Sequence, residues 1–238
     1  MQKLPFAASV LIAFAACGGD SNGPDARFAC LNDTLPTTAP AGITITGQAT
    51  DIVTDAVVSN APVFAFRTGD TTTLAADTTT TPGFYSISIL TGGTPVDGYI
   101  RITHPSYIAT YAYPARPLRA DTVNNISMVT PAEFGLLAAA AGITPQAGKG
   151  FIGIVVKDCT GAAISGATVS TTPAGTTLYN VAGVPSSSAG STAADGIAYI
   201  ANVTAGDVTV KANAGGHTLR QHVVNARADA ITLTEIRP

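Results

Sequence analysis

The chain has 238 residues, of which 46% are hydrophobic and only 11% are charged. The length suits one large domain or two of about 100 residues each, and the apolar content excludes wholesale disorder. A formal charge of −3 removes the electrostatic case for nucleic-acid binding, which needs a basic surface. Abundant Thr with 24 Gly, 15 Pro and no Trp favours short strands joined by turns, so we expect an all-β protein.

The first segment, residues 1–16, has the pattern of a secretory signal peptide. Lys3 precedes an apolar run that ends in two alanines, as in such signals, and the run is shorter than the roughly 20 residues needed to span a bilayer. Ala15-Ala16-Cys17 resembles the lipobox of bacterial lipoproteins, in which the cysteine is acylated. This resemblance implies export to the bacterial cell envelope and a lipid anchor at Cys17, and Gly18 favours the outer membrane. An ordinary signal peptide followed by a chance cysteine is the alternative.

Residues 17–41 are rich in Gly, Asp, Ser, Thr and Pro and predict a flexible tether. Two further cysteines, Cys30 and Cys159, remain in the chain. Because an exported protein meets an oxidising compartment, we expect these two to form a disulfide. The alternative is two separate buried thiols that act as small apolar side chains.

Runs of alternating apolar and polar residues fill residues 42–129 and again residues 150–238. Examples are Tyr85-Ser86-Ile87-Ser88-Ile89 in the first region and Ile231-Thr232-Leu233-Thr234 in the second. Turn residues such as Pro82-Gly83 separate the runs, which is typical of an antiparallel β-sandwich. The two regions repeat the same order of runs at an offset of roughly 105–113 residues, so we expect two tandem copies of one small domain.

The second region also carries motifs of a known family. It contains G-x-V-x-x-D-C-x-G at residues 153–161, G-A-x-V at 166–169, T-x-x-D-G-x-A-x-I at 192–200 and G-x-V-x-V at 206–210. These motifs resemble the carboxypeptidase regulatory-like domain, and residues 42–129 resemble it more loosely. The resemblance implies two prealbumin-like, Ig-like sandwiches, and it implies an accessory role, because in zinc carboxypeptidases this module does no chemistry itself.

Residues 130–149 predict a helical connector between the two sandwiches. Thr130, Pro131 and Glu133 form a capping box with proline at the first helical position, and Gly142 suits the helix end. We expect this short helix to pack against one sandwich or against their junction.

One group of rings is a candidate ligand-binding site. His104, Tyr107, Tyr111 and Tyr113 lie near a predicted strand–turn junction, and such concentrated rings are a feature of some sugar- and peptide-binding sites. The alternative is that these rings cover an edge of the sandwich.

The sequence offers little for catalysis. The three histidines, His104, His217 and His222, stand in none of the common zinc-protease motifs. His217 and His222 are five residues apart, so on one strand they point to opposite faces. We therefore expect no metal, no cofactor and no enzymatic activity.

These features together favour a non-catalytic envelope lipoprotein that binds a partner protein or glycan, or has a structural role, at the membrane surface. An accessory subunit of a larger membrane complex is one alternative. A small hydrolase or metal-dependent enzyme that uses His104 or His217 is the other.

Overall fold

The computed structural model describes residues 25–238, and within them the fold is all-β with one α-helix. The predicted signal peptide and the proposed lipidation site Cys17 lie outside the described residues. No described helix combines the length and apolar character needed to cross a membrane. After a 3-10 helix at Ala26–Phe28, the first half contains β1 Gly42–Asp51, β2 Pro62–Arg67, β3 Thr73–Thr78, β4 Phe84–Leu90, β5 Gly98–His104, β6 Tyr107–Tyr113, β7 Thr122–Val123 and β8 Ile126–Met128.

The second half begins with the helix and continues with nine strands. It contains α1 Pro131–Ala140, β9 Lys149–Val156, β10 Thr168–Thr172, β11 Thr176–Val181, β12 Val184–Ser186, β13 Ile197–Thr204, β14 Gly206–Ala214, β15 His217–Thr218, β16 His222–Ala226 and β17 Ile231–Ile236.

Residues 42–129 form the first sandwich. Strands β4, β1 and β7 make one layer, with β8 also paired to β1, and strands β3, β2, β5 and β6 make the facing layer. Alternate residues of each strand point inward, as a period of two requires. The core between the layers includes Ile43, Ile45, Ile87, Ile102 and Met128.

Residues 149–238 form the second sandwich with a corresponding arrangement. Strands β12, β11, β13, β9 and β17 make one layer, and β10, β14 and β16 make the other, with β15 also paired to β14. Its core includes Ile152, Ile154, Ile200, Val208 and Ile236. Most strand pairs are antiparallel as expected, but β1 pairs in parallel with β7 and β8, and β17 pairs in parallel with β9 and β6.

Strand β17 joins the two sandwiches into one continuous sheet. It lies between β9 of the second sandwich and β6 of the first, so Leu233 pairs with both Gly153 and Ala112. The resulting sheet has nine strands. Because side chains alternate along a strand, Leu233 packs against the first core while Ile236 lies in the second core.

The two sandwiches repeat the same buried turn contacts. At the end of β1, Asp51 Oδ1 accepts hydrogen bonds from the backbone and hydroxyl of Thr54, and at the end of β9, Asp158 Oδ1 accepts the same pair from Thr160. Thr79 Oγ1 accepts from the Ala61 N–H at 2.9 Å, and Thr192 Oγ1 accepts from the Ala167 N–H at 3.0 Å. These matched contacts give the predicted internal repeat a structural counterpart.

The connector helix begins as the sequence predicts. The Thr130 hydroxyl accepts from the Glu133 N–H, and the Glu133 carboxylate accepts from the Thr130 N–H, which completes the capping box. Gly142 follows with φ +73°, a conformation that favours glycine. The helix packs on the outer face of the second sandwich, where Phe134 meets Phe151 edge-on at 5.3 Å.

The disulfide between Cys30 and Cys159 is present, as expected. It fastens the segment that precedes the first sandwich onto the second sandwich, and the Cys159 N–H donates to the Arg27 carbonyl at 3.0 Å. Phe28 is buried in the second core and contacts the His217 ring at 4.5 Å. The expectation of a flexible tether through residue 41 is therefore wrong for residues 26–31, because an aromatic anchor and a covalent bond fix them.

The buried threonine bridge yields a stability prediction. Thr192→Val should lower the free energy of unfolding by about 1–3 kcal/mol, because it leaves the Ala167 N–H buried without an acceptor. Thr168→Val, at an exposed position of β10, is the matched control and should change the free energy by no more than about 0.5 kcal/mol. Urea unfolding measures both, and equal effects of the two substitutions would contradict the role of the bridge.

Candidate functional site: a cleft in the first sandwich

The four predicted ligand-binding rings do not converge on one site. His104 and Tyr107 meet edge-on at 5.3 Å where β5 turns into β6, and Tyr107 packs against the first core. Tyr111 and Tyr113 lie on the opposite face of the sheet, against the second core. A β-bulge explains the split. It lies between the His104–Tyr107 pair and the other paired residues of β5 and β6, and its extra residue puts the side chains beyond it on the other face of the sheet.

Tyr111 and Tyr113 instead belong to a network of rings and arginines where the two sandwiches meet. Tyr99 stacks on Tyr113 with ring centroids 4.9 Å apart and on Phe66 at 5.2 Å. Arg227 of the second sandwich lies over Tyr111 at 3.9 Å and donates to the Tyr113 hydroxyl at 3.0 Å. Such cation–π contacts stabilise packing, so these rings hold the second sandwich against the first.

The remaining two histidines lie apart from each other. His217 stacks against Phe28, while the His222 Nε2 lies 2.7 Å from the Thr234 hydroxyl, and burial lowers the pKa of His222. Within residues 25–238, no three His, Cys, Asp or Glu side chains are arranged to hold a metal ion.

A cavity of about 440 Å³ opens at one end of the first sandwich, and we call it the cleft. Core side chains of both layers, Ala65 and Ala112 among them, border it but are almost completely buried. Its apolar lining also includes Phe66, Tyr99, Tyr113 and Leu118. The segment at residues 114–120, which follows β6, crosses the opening.

Four basic side chains line the opening of the cleft, and we call them the basic mouth. They are Arg116, Arg119, Lys157 and Arg237. Glu235 is the one acidic side chain among the lining residues, so four positive charges and one negative charge leave a net charge of +3. Arg116 and Arg119 belong to the first sandwich. In the second sandwich, Lys157 directly follows β9, Glu235 lies on β17 and Arg237 directly follows β17.

Ion pairs hold the acidic side chain of this opening. Glu235 accepts from Lys157 and, at 2.7 Å, from Arg237 Nη2. Burial by itself raises the pKa of Glu235, but the hydrogen bonds from Lys157 and Arg237 outweigh it, and the pKa lies below its ordinary value. Glu235 is therefore ionised near neutral pH, and it forms ion pairs with both Lys157 and Arg237.

Arg116 is a partly buried cation of the basic mouth. One guanidinium nitrogen donates to the Pro238 carbonyl and lies 3.9 Å from Cys30 Sγ, but the buried Nε has no hydrogen-bond partner among the described residues. Burial lowers the pKa of Arg116, and the neighbouring charges of Arg220 and Arg237 lower it further. Together with Arg220, the four residues of the basic mouth account for five of the 12 Lys and Arg residues of this acidic chain.

Of the four predicted rings only Tyr113 lines this cleft, and sequence reasoning missed the charged residues because they come from three separate segments. No short motif joins Arg116, Lys157 and Arg237, and only the pairing of β6 with β17 brings them together. The one available signal was the pair of arginines at residues 116–119 in an otherwise charge-poor stretch.

No family model and no curated protein matches this chain. Among solved structures, the Bacillus anthracis TIE protein is similar at 12% identity and a TM-score of 0.30, over 82% of this chain and 33% of that one. The shaft pilin SpaA from Lactobacillus rhamnosus GG is similar at 11% identity and a TM-score of 0.25, over 85% of this chain and 98% of that one. A streptococcal ancillary pilin shows 8% identity and a TM-score of 0.27, over 83% of this chain and 62% of that one.

The chain therefore spans about a third of the TIE protein chain that it matches. TM-scores this low establish no shared function.

The Glu235 ion pairs predict a pH dependence of stability. Glu235→Gln should lower the free energy of unfolding at pH 7 by about 1 kcal/mol. Because the folded pKa lies below the ordinary value of 4.5, this contribution is full above pH 4.5 and disappears as the pH falls through the folded pKa. The difference between the variant and the unaltered protein should therefore shrink between pH 5 and pH 3 in urea unfolding.

Asp55→Asn, in an exposed turn, is the control and should show no such change. A Glu235→Gln effect that stays constant down to pH 3 would contradict the ion-pair account.

Proposed function

We propose that this chain is a non-catalytic, lipid-anchored lipoprotein of the bacterial cell envelope that serves as a binding module at the membrane surface. The cleft and its basic mouth are the observation that carries this proposal. A large concave cavity with an apolar wall and a few convergent polar groups is the usual form of a binding site. The sequence analysis predicts that the bound partner is a protein or a glycan.

Support for a membrane location comes from the position of the disulfide. Cys30 adjoins Arg116, and from Cys30 the chain runs back along the second sandwich, where Phe28 is buried, to Asp25. Seven residues lie between Cys17 and Asp25, and a fully extended chain over those eight steps reaches about 28 Å. An acylated Cys17 would therefore keep the second sandwich, on which residues 26–31 are fixed, within about 30 Å of the membrane surface. The disulfide itself fits an oxidising, exported location.

Support for a non-catalytic role comes from the chemistry of the cleft. Glu235 is bound by two cations and offers no free general base, and the remaining charged groups are guanidinium and ammonium groups that attract anions. Neither His104 nor His217, the residues on which a hydrolase would depend, lines the cleft.

The anchor is tested with the full chain expressed in a Gram-negative host. We expect the protein in the membrane fraction and an acyl modification on the peptide that begins at Cys17, detected by mass spectrometry. Cys17→Ser should move the protein to the soluble periplasmic fraction. An unmodified Cys17 in a soluble protein would contradict the lipid anchor.

The binding role is tested by crosslinking in intact cells. Arg119→Gln removes an exposed charge of the basic mouth and should abolish or strongly reduce a specific crosslinked product. Lys211→Gln, exposed on β14 of the second sandwich, is the matched control and should leave the product unchanged. A product that neither substitution affects, or no product at all, would contradict binding through the cleft. A large complex on a native gel would identify the accessory-subunit alternative.

A further inference from the structure

We propose that the outer surface of the β4–β1–β7 layer of the first sandwich binds a neutral, extended glycan of β-linked sugars. We call this surface the open face, and it comprises the outward side chains of these three strands. It includes none of the basic side chains at the mouth of the cleft, so the inference does not rest on the proposed role of the cleft.

The open face exposes large apolar side chains to solvent. Phe84 and Leu90, at the two ends of β4, are 52% and 84% exposed, and Val123 on β7 is 72% exposed. Phe84 and Leu90 point outward because the intervening alternate residues of β4 fill the first core. Apolar side chains that gather on one surface of a soluble protein mark an interaction site.

A groove of about 410 Å³ lies on the open face, and both Phe84 and Val123 line it. Thr46 of β1 forms part of its floor, since Thr46 pairs with Ser86 of β4 on one side and with Val123 of β7 on the other. These four side chains are exposed, so the groove is open space at the surface and not a void within the core. Its volume falls within the usual range of about 300–1,000 Å³ for ligand sites.

The charge of the groove favours a neutral ligand. Asp77 is the one charged side chain among the nine described residues that line it. A ligand with phosphate or carboxylate groups would meet no cation in this lining and would be repelled by Asp77. The groove therefore differs in chemistry from the basic mouth of the cleft.

The polar groups of the groove match sugar hydroxyls. The Asp77 carboxylate accepts from two backbone N–H groups, one of them that of Ser86 at 2.7 Å, which fix its orientation, and a carboxylate has about four acceptor sites. Asn125 Oδ1 accepts from the Gln48 N–H at 3.0 Å, and the amino group of Asn125 is a donor. The exposed hydroxyls of Thr46 and Ser86 can donate or accept. Sugar hydroxyls also do both, so a glycan can use every one of these groups.

The shape of the open face favours β-linked sugars. In β-1,4-linked glucose the ring substituents lie near the ring plane, so the chain is a flat ribbon with C–H groups on its two faces. Such a ribbon can lie along a sheet surface and stack one sugar ring on Phe84, because the electron-rich face of an aromatic ring attracts C–H hydrogens. The contact also removes the apolar surface of both rings from water.

A protein partner fits the open face less well. The face is about 20 Å long and 15 Å wide, or roughly 300 Å², whereas a stable protein interface takes about 800 Å² from each partner. A peptide strand has to join at the free edge of β4, because β1 is paired on both sides. At that edge the Ser86 N–H already donates to Asp77.

The ligand class is tested by isothermal titration of the full chain carrying Cys17→Ser, which lacks the acylation site. The probes are cellohexaose, its α-linked isomer maltohexaose, and β-1,4-hexaglucuronate, which carries a carboxylate on every ring. Cellohexaose should bind with one site. Maltohexaose should bind at least tenfold more weakly because its chain is not flat, and hexaglucuronate at least tenfold more weakly because its carboxylates meet Asp77. No binding of cellohexaose, or equal affinity for either of the other probes, would overturn the proposal.

The site itself is tested by substitution. Phe84→Ala should weaken cellohexaose binding about tenfold or more because it removes the stacking ring, and Thr46→Arg should abolish binding by covering the floor of the groove. Val223→Ala, at a residue that is 49% exposed on the second sandwich, is the matched control and should leave the affinity unchanged. Phe84 lies outside the core, so its variant keeps the test valid if Thr46→Arg fails to fold. Equal affinities of Phe84→Ala and Val223→Ala would overturn the assigned location.

A second copy of the chain on the open face would give a different result. Sedimentation at rising protein concentration should show no self-association that depends on Phe84. A dimer that Phe84→Ala dissociates would assign the open face to a second copy and would overturn the glycan proposal.

The open face and the cleft are separated by the same variants. Arg119→Gln should leave cellohexaose binding unchanged, and Phe84→Ala should leave the crosslinked product of the cleft unchanged. If cellohexaose does not bind while Arg119→Gln still removes the crosslinked product in cells, the glycan proposal fails and the proposed function stands. If cellohexaose binds and no crosslinked product forms, the proposed role of the cleft fails and the glycan proposal stands.

Discussion

The structure depends on the parallel pairing of β17 with β6. Without it, β6 would be the open edge of the first sandwich and β17 the open edge of the second, and exposed edges invite unwanted pairing. With it, both edges are covered by one set of backbone hydrogen bonds, and the two sandwiches share a nine-stranded sheet. The ring network capped by Arg227 reinforces the same junction from one face of the sheet.

This junction also builds the candidate site. The apolar wall of the cleft belongs to the first sandwich, but three of the five charged groups at its opening come from the second. Glu235 and Arg237 lie on or directly after β17, so the strand that joins the sandwiches also positions their charges. The disulfide then fixes Cys30 beside Arg116.

Local features of the fold were readable from the sequence. The period of two placed Ile87 and Ile89 in a core, and the Thr130 capping box marked the start of the helix, because both depend on neighbouring residues. The pairing of β17 with β6 was not readable, since it joins residues more than a hundred positions apart through backbone groups alone. The grouping of Tyr107 with Tyr111 and Tyr113 failed for a related reason. A single bulge reverses the face of a strand, and no composition signal marks it.

Hydrogen exchange followed by NMR tests the junction most directly. The backbone amides of β17 and β6 should be protected as strongly as those in the middle of β9 and β5, and added denaturant should release all four strands together. Rapid exchange in β17 or β6, while β9 and β5 stay protected, would mean that the two sandwiches are not joined by a shared sheet and that the cleft lacks a fixed set of charges.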